Sequence, residues 1–169
     1  MEKLEILTYP DKSLRNLSKP VENIDGKIIG LIDSMTNIMY TSDGVGLAAI
    51  QVGIEKKIII YDVEQNNGSR DLQVLINPKI ISMEGEKVSE NEGCLSLPDL
   101  RANVKRAASV FAKGLDREGN SLEIEAEGLL SVVLQHEIDH LNGVLFIDHL
   151  SALKRNLYKK RVKKKMKKG

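Results

Sequence analysis

One cysteine, two phenylalanines and no tryptophan among 169 residues remove several classes of protein at the outset. With Cys94 alone there is no internal disulfide framework, and no structural zinc site built on two or more thiolates. Scarce aromatics leave Ile, Leu, Val and Met to build the core. No apolar run approaches the roughly 20 residues that span a bilayer, and the N-terminus carries neither a signal-peptide nor a transit pattern, so no membrane partner is expected. A lone thiol suits a reducing compartment. The expected setting is bacterial cytoplasm, and the expected state a monomer. The length fits one domain, which buries roughly two thirds of the surface its unfolded chain exposes.

The formal net charge of +1 conceals an asymmetry. Lys154 to Lys168 holds 10 of the 25 basic residues and no acid, leaving residues 1 to 153 with 15 bases against 24 acids. The body is acidic and the tail basic.

The chemistry concentrates in Gln135-His136-Glu137-Ile138-Asp139-His140. Residues four apart stack on one helix face, so His136 and His140 can hold one metal ion while Glu137 reaches past it. The flanking Leu129, Leu130, Val132, Val133, Leu134 and Leu141 make the helix apolar nearly all round, and Gly143 supplies a stop. Such a helix is buried, and burying two imidazoles and two acids is costly unless they are paired or metal-bound. The bland alternative is a chance His-Glu-x-x-His whose polar side meets solvent. An open, catalytic zinc-like centre takes three protein ligands, and only Cys94 and His149 remain as further thiol or imidazole. One large class of zincin proteases places a third histidine ten residues after the first; here that position is Phe146.

Two further segments stand out. Cys94 lies in Glu92-Gly93-Cys94-Leu95-Ser96-Leu97-Pro98, where the glycine permits close backbone approach and the proline is expected to end the segment. A lone cysteine is more often an inert buried hydrophobe than a ligand. Asp43-Gly44-Val45-Gly46-Leu47-Ala48-Ala49-Ile50-Gln51 is a run of small residues ending in an amide, suited to a strand or loop lying tightly against a site. It lacks the lysine and Ser/Thr of a phosphate loop.

Taken in order, Gly44 to Gln51, Glu92 to Ser96 and Gln135 to His140 resemble the peptide deformylases, matching all three family segments without a gap. The resemblance implies a hydrolase that removes the formyl group from the N-terminal formylmethionine of newly made polypeptides. It implies Cys94, His136 and His140 as ligands of one divalent ion, Fe2+ in the cell with Zn2+ or Ni2+ able to replace it. It further implies attack by a metal-bound hydroxide, with Glu137 as general base and with Gln51 and the Leu95 backbone N–H as oxyanion donors. Matching positions place the methionine slot and peptide contacts at Val45, Gly46, Arg101, Leu129, Val132 and Val133. Glu92 and Arg106 are expected to brace the cysteine segment, and Asp43 to orient a ligand histidine. Ser89-Glu90-Asn91 departs from the apolar or aromatic rim of many relatives.

The fold expected is α+β: a single compact domain of antiparallel or mixed sheets around the central His-Glu-x-x-His helix, with an N-terminal helix and a basic C-terminal helix. Residues 1–150 are read as the catalytic domain and 151–169 as a basic helix belonging to it. A first helix is expected from Asp25 to Tyr40 with Asp25 as cap. Strands are expected at Lys57 to Val63, Gln73 to Ile76, Lys79 to Met83, Ser109 to Leu115 and Leu122 to Ala126. Turns are expected at Asn66 to Ser69 and Asp116 to Asn120. Ser151 or Asp148 is expected to cap the last helix, with Leu153, Leu157, Val162 and Met166 as its apolar stripe. That helix reads either as a solvated element docked on the body or as an attachment to ribosomal RNA near the exit tunnel. The rival to a deformylase is a catalytically silent RNA- or ribosome-binding protein whose metal is structural.

Overall fold

The computed structural model describes residues 3–66 and 68–169. Its first long element, α1 (Gly26–Thr41), begins where Asp25 Oδ1 accepts from the backbone N–H groups of Lys27 and Ile28 at 3.0 and 3.1 Å, satisfying two of the donors a helix start leaves free. Its apolar face puts Ile32, Met35 and Met39 fully inside. After it come β1 (Gly46–Ala48), β2 (Ile58–Tyr61), β3 (Gln73–Glu84), β4 (Lys87–Cys94), β5 (Leu97–Arg106), β6 (Ser109–Leu115) and β7 (Ser121–Glu127). Then follow α2 (Gly128–Leu141), a single 3-10 turn (Phe146–His149) and α3 (Ala152–Lys168).

Five strands form one sheet in the order β1-β2-β3-β6-β7, and β4 pairs with β5 as a separate hairpin. Every strand pairing is antiparallel. The isoleucine run of β2 explains how the sheet is covered. Ile59 and Tyr61 pack with Val133, Leu134 and Ile138 of α2 and with Leu75 of the neighbouring strand β3. Ile58 and Ile60 face α1 through Ile32, Met35 and Met39. A strand buried on both faces has no polar side to alternate with, hence three isoleucines in a row. Each such fully buried side chain contributes about 1.5–3 kcal/mol. A third cluster joins β5 to the 3-10 turn and α3 through Leu97, Val104, Phe146 and Tyr158.

Three expectations need correction, and one element went unexpected. Gln73–Glu84 is one strand, because Asn77 at φ +51° and a register shift between Ile76 and Lys79 let Pro78, which has no N–H to donate, sit in a bulge. Pro98 likewise lies inside β5 instead of ending a segment. The β4–β5 hairpin was not expected from the sequence. Of the stripe proposed for α3 only half-buried Val162 docks: Leu153, Leu157 and Met166 are exposed, and buried Tyr158, outside the stripe, carries the rest of the packing. Of the turn at Asn66 to Ser69, Asn66 and Ser69 pair across it, and Asn67 lies outside the described residues.

Helix α2 is capped by Asn142, and Gly143 adopts φ +72°. A side chain at Gly143 would be strained twice, by that backbone conformation and because a Cβ would lie 2.5 Å from the carbonyl oxygen of Arg15. Gly143→Ala is expected to lower unfolding free energy by more than about 1 kcal/mol in chemical denaturation; an unchanged midpoint would contradict this packing.

Candidate metal centre

Helix α2 is held in place by its own polar side chains. Gln135 Oε1 accepts from the Ala107 N–H at 2.9 Å, and its Nε2 donates to the Ala107 carbonyl at 3.0 Å, clipping the helix to the β5–β6 turn. This fixes the direction in which the next turn, His136 to His140, presents its side chains. Opposite it, the last residue of β4 supplies Cys94. The ligand-capable atoms of Cys94, His136 and His140 lie within 4.8 Å of one another. Cys94 Sγ is 3.4 Å from His140 Nε2, which is 3.3 Å from His136 Nε2.

The surroundings fit a cation there. Glu92 Oε1 lies 2.8 Å from His136 Nδ1, so Nδ1 carries a proton and the Nε2 lone pair is left to face inward. Burial opposes charge on His136, yet its bonds to Cys94 and Glu92 push its pKa well above the usual value. Burial, with the nearby charge of His136, holds His140 well below its own. A thiolate with two imidazoles is a donor set that suits transition metals. Phe146, at the position where the protease pattern would have histidine, stacks on the His136 ring at 5.9 Å between centroids and 28° between planes.

Glu137 projects beside these donors. Burial pushes its carboxyl up to about 7, with the charge of His136 pulling the other way. Among the described residues its Oε2 has no hydrogen-bond partner. Gly46 makes room for it: a Cβ there would lie 2.7 Å from Glu137 Oε1. Gln51 is fixed at both ends of its amide, Oε1 accepting from Ala48 N–H at 2.9 Å and Nε2 donating to Ser96 Oγ at 3.0 Å and towards Cys94 Sγ at 3.6 Å. Ser96 ends the Glu92 to Ser96 segment, but its sequence position gave no sign of the bond to Gln51.

Gln51, Glu92, Cys94, His136 and Glu137 line one cleft of about 470 Å³, and His140 is fully buried beside it. Val45, Gly46, Leu129, Val132 and Val133 line it too, together with Leu95 and Arg101. Val45 and Leu129 are 44% and 53% exposed, large apolar side chains left open at its mouth, whereas Val132 and Val133 are buried at its floor. Ser89, Glu90 and Asn91 form part of the rim. Asp43 is also at the cleft but exposed, with no bond to either histidine. The orienting contact expected of it belongs to Glu92, which reaches His136 from an adjacent strand.

The sequence profile of the polypeptide deformylases matches residues 3–156. The chain belongs to that family. It is 53% identical over 167 residues to a peptide deformylase of Desulfosudis oleivorans, covering 99% of this chain and 96% of the relative. A crystal structure of the Legionella pneumophila peptide deformylase superposes with TM-score 0.90 at 44% identity, covering 97% and 95% of the two chains. The Met-Ala-Ser-bound structure of an Acinetobacter baumannii peptide deformylase gives 0.81 at 33% identity, over 87% and 98%. The family is metal-dependent.

Glu92 also grips buried Arg106, with Nη2 donating to Oε1 at 2.5 Å and Nε to Oε2 at 3.3 Å. Burial alone would raise the Glu92 carboxyl, but the bonds from His136 and Arg106 hold it down at about 2. A folded pKa below the unfolded value means that these bonds add stability above about pH 4 and lose it as pH falls through about 2. Wild type is therefore expected to lose more unfolding free energy than Glu92→Gln between pH 5 and pH 2; equal losses in urea titrations would contradict the assignment.

Proposed function

We propose that this chain removes the formyl group from the N-terminal formylmethionine of nascent polypeptides, with Cys94, His136 and His140 holding one divalent metal ion. The observation that carries the reading is the convergence of those three donor atoms beside Glu137, at a cleft that Val45, Leu129, Val132 and Val133 also line, in a member of the polypeptide deformylase family. Fe2+ is the physiological ion in this reading; Zn2+ and Ni2+ suit the same ligands, since this donor set does not discriminate by itself. When bound, the ion supplies Lewis acidity, lowering the pKa of water from 15.7 towards about 7.

The chain's own residues do the rest. Glu137, poised near neutrality, accepts the proton of the attacking water at its unpartnered Oε2. As the formyl carbon becomes tetrahedral, its oxygen is met by Gln51 Nε2 and the Leu95 backbone N–H. Breaking the C–N bond releases formate, and Glu137 returns the proton to the departing amine. Val45 and Gly46 offer backbone partners to an extended peptide in the manner of an added strand. Leu129, Val132 and Val133 receive the methionine side chain, and Arg101 contacts the peptide farther out.

We also read residues 1–150 as the catalytic domain and α3 as part of the same domain. Tyr158 supports this, its Oη donating to the Pro98 carbonyl at 3.0 Å. The remaining basic side chains of α3 are mostly exposed and suited to ribosomal RNA. Among the described residues no helix is long and apolar enough to cross a membrane; a monomer in the cytoplasm is the setting in which this reading places the enzyme.

Protein purified anaerobically is expected to release formate from formyl-Met-Ala-Ser, and Cys94→Ala to lose both metal and activity. No release from folded, metal-loaded protein would overturn the reading. Glu137→Ala is expected to lower turnover by about a hundred- to ten-thousandfold with metal content unchanged, as checked by formate assay and metal analysis of the same sample. Gln51→Ala is expected to cost about a hundred- to a thousandfold in kcat.

A further inference from the structure

Behind the cleft, on the opposite side of Arg106, lies a second cavity of about 540 Å³ lined by Met83, Lys105, Arg106, Gln135, Asp139 and His149 among others. The guanidinium of Arg106 separates it from Glu92. Arg106 Nη1 donates to Asp139 Oδ2 at 2.9 Å, and His149 Nε2 lies 2.9 Å from the same oxygen. A carboxylate oxygen only accepts, so His149 Nε2 carries the proton. The 3.5 Å between that nitrogen and Arg106 Nη1 is then a contact between two donors and not a bond.

We propose that Asp139 and His149 are positioning residues for His136, acting on it through Arg106 and Glu92. The bonds run without a break from His149 Nε2 to Asp139 Oδ2, from Asp139 Oδ2 to Arg106 Nη1, from Arg106 Nη2 to Glu92 Oε1, and from Glu92 Oε1 to His136 Nδ1. The reason for two carboxylates lies in the burial of Arg106, whose side chain is 2% exposed. A guanidinium has five N–H donors, and Glu92 takes only one side of it. Without Asp139, Nη1 is left unpaired out of water, and such a group recovers its bonds by moving. Any swing of Arg106 turns Glu92, and Glu92 sets the ring orientation of His136.

Asp139 needs an anchor of its own, because its side chain is 28% exposed and water competes for it. His149 provides that anchor from the 3-10 turn Phe146–His149. The same turn stacks Phe146 on the face of His136. It is itself clamped, Arg15 donating to both oxygens of Asp148 at 2.5 and 3.0 Å and Leu145 N–H donating to Asp148 Oδ2 at 2.9 Å. One four-residue turn therefore controls His136 twice, on the ring face through Phe146 and at Nδ1 through the bonded chain.

This rests on His136 being a metal ligand, and the test separates the two ideas. Zinc affinity is measured by competition with a chelator for wild type, His149→Ala, His149→Gln, Asp139→Asn and His136→Ala, with thermal unfolding followed for each. Partners behind a metal-ligating histidine typically alter affinity by about ten- to a hundredfold. His149→Ala and Asp139→Asn are expected to fall in that range and to lower kcat with KM unchanged, since neither residue lines the substrate cleft. His149→Gln, which keeps an N–H donor within reach of Asp139, is expected to recover most of the affinity. Affinity of folded His149→Ala and Asp139→Asn within twofold of wild type, while His136→Ala loses zinc, would overturn the positioning role alone. Full affinity in His136→Ala would overturn the ligand assignment beneath it.

Discussion

Placing ionisable groups on a helix that must also serve as core is the constraint around which this molecule is organised. Helix α2 buries Val133, Leu134 and Ile138 against the sheet, and the same turns bury His136, Glu137 and His140. Unpaired, those polar groups cost several kcal/mol each. Their partners come from elsewhere in the chain. Glu92 on β4 binds His136, Arg106 on β5 neutralises Glu92, and Cys94 arrives from the end of the same hairpin. The β4–β5 hairpin stands apart from the five-stranded sheet because its work is to close over α2.

This division of labour explains which parts of the fold the sequence discloses. Helix α1, helix α2 and the β6–β7 hairpin depend on local patterns: an Asp25 cap, apolar spacing, a Gly143 stop and the Asp116 to Asn120 turn, where Asp116 Oδ1 accepts from the Asn120 N–H at 2.8 Å. The β4–β5 hairpin has no such pattern. Ser89, Glu90, Asn91 and Asn103 blunt its alternation, and left-handed Asn91 and Asp99 break the register that periodicity relies on. Its strands exist because they pair with each other and cover the site. In α3, spacing pointed to Leu153, Leu157, Val162 and Met166, whereas docking is decided by where β5 lies, and it selects Tyr158 and, of the stripe, Val162 alone.

The candidate site divides in the same way. Each motif segment is contiguous and so legible, and the fold brings all three to one cleft. Connections between segments are not contiguous. Asp43 stood next to a motif in sequence and plays no part in holding a histidine, while Glu92 does so from 44 residues away. Asp139 and His149 carried a weaker signal, a second acid inside an apolar helix and a histidine past its end. Only the three-dimensional structure joins them to Arg106.

The central claim is that one thiolate and two imidazoles hold a single metal ion. X-ray absorption on the zinc-loaded protein tests it most directly. The account predicts one sulfur at about 2.3 Å and two imidazole nitrogens at about 2.0–2.1 Å. A coordination shell without sulfur, or with a single imidazole, would contradict it.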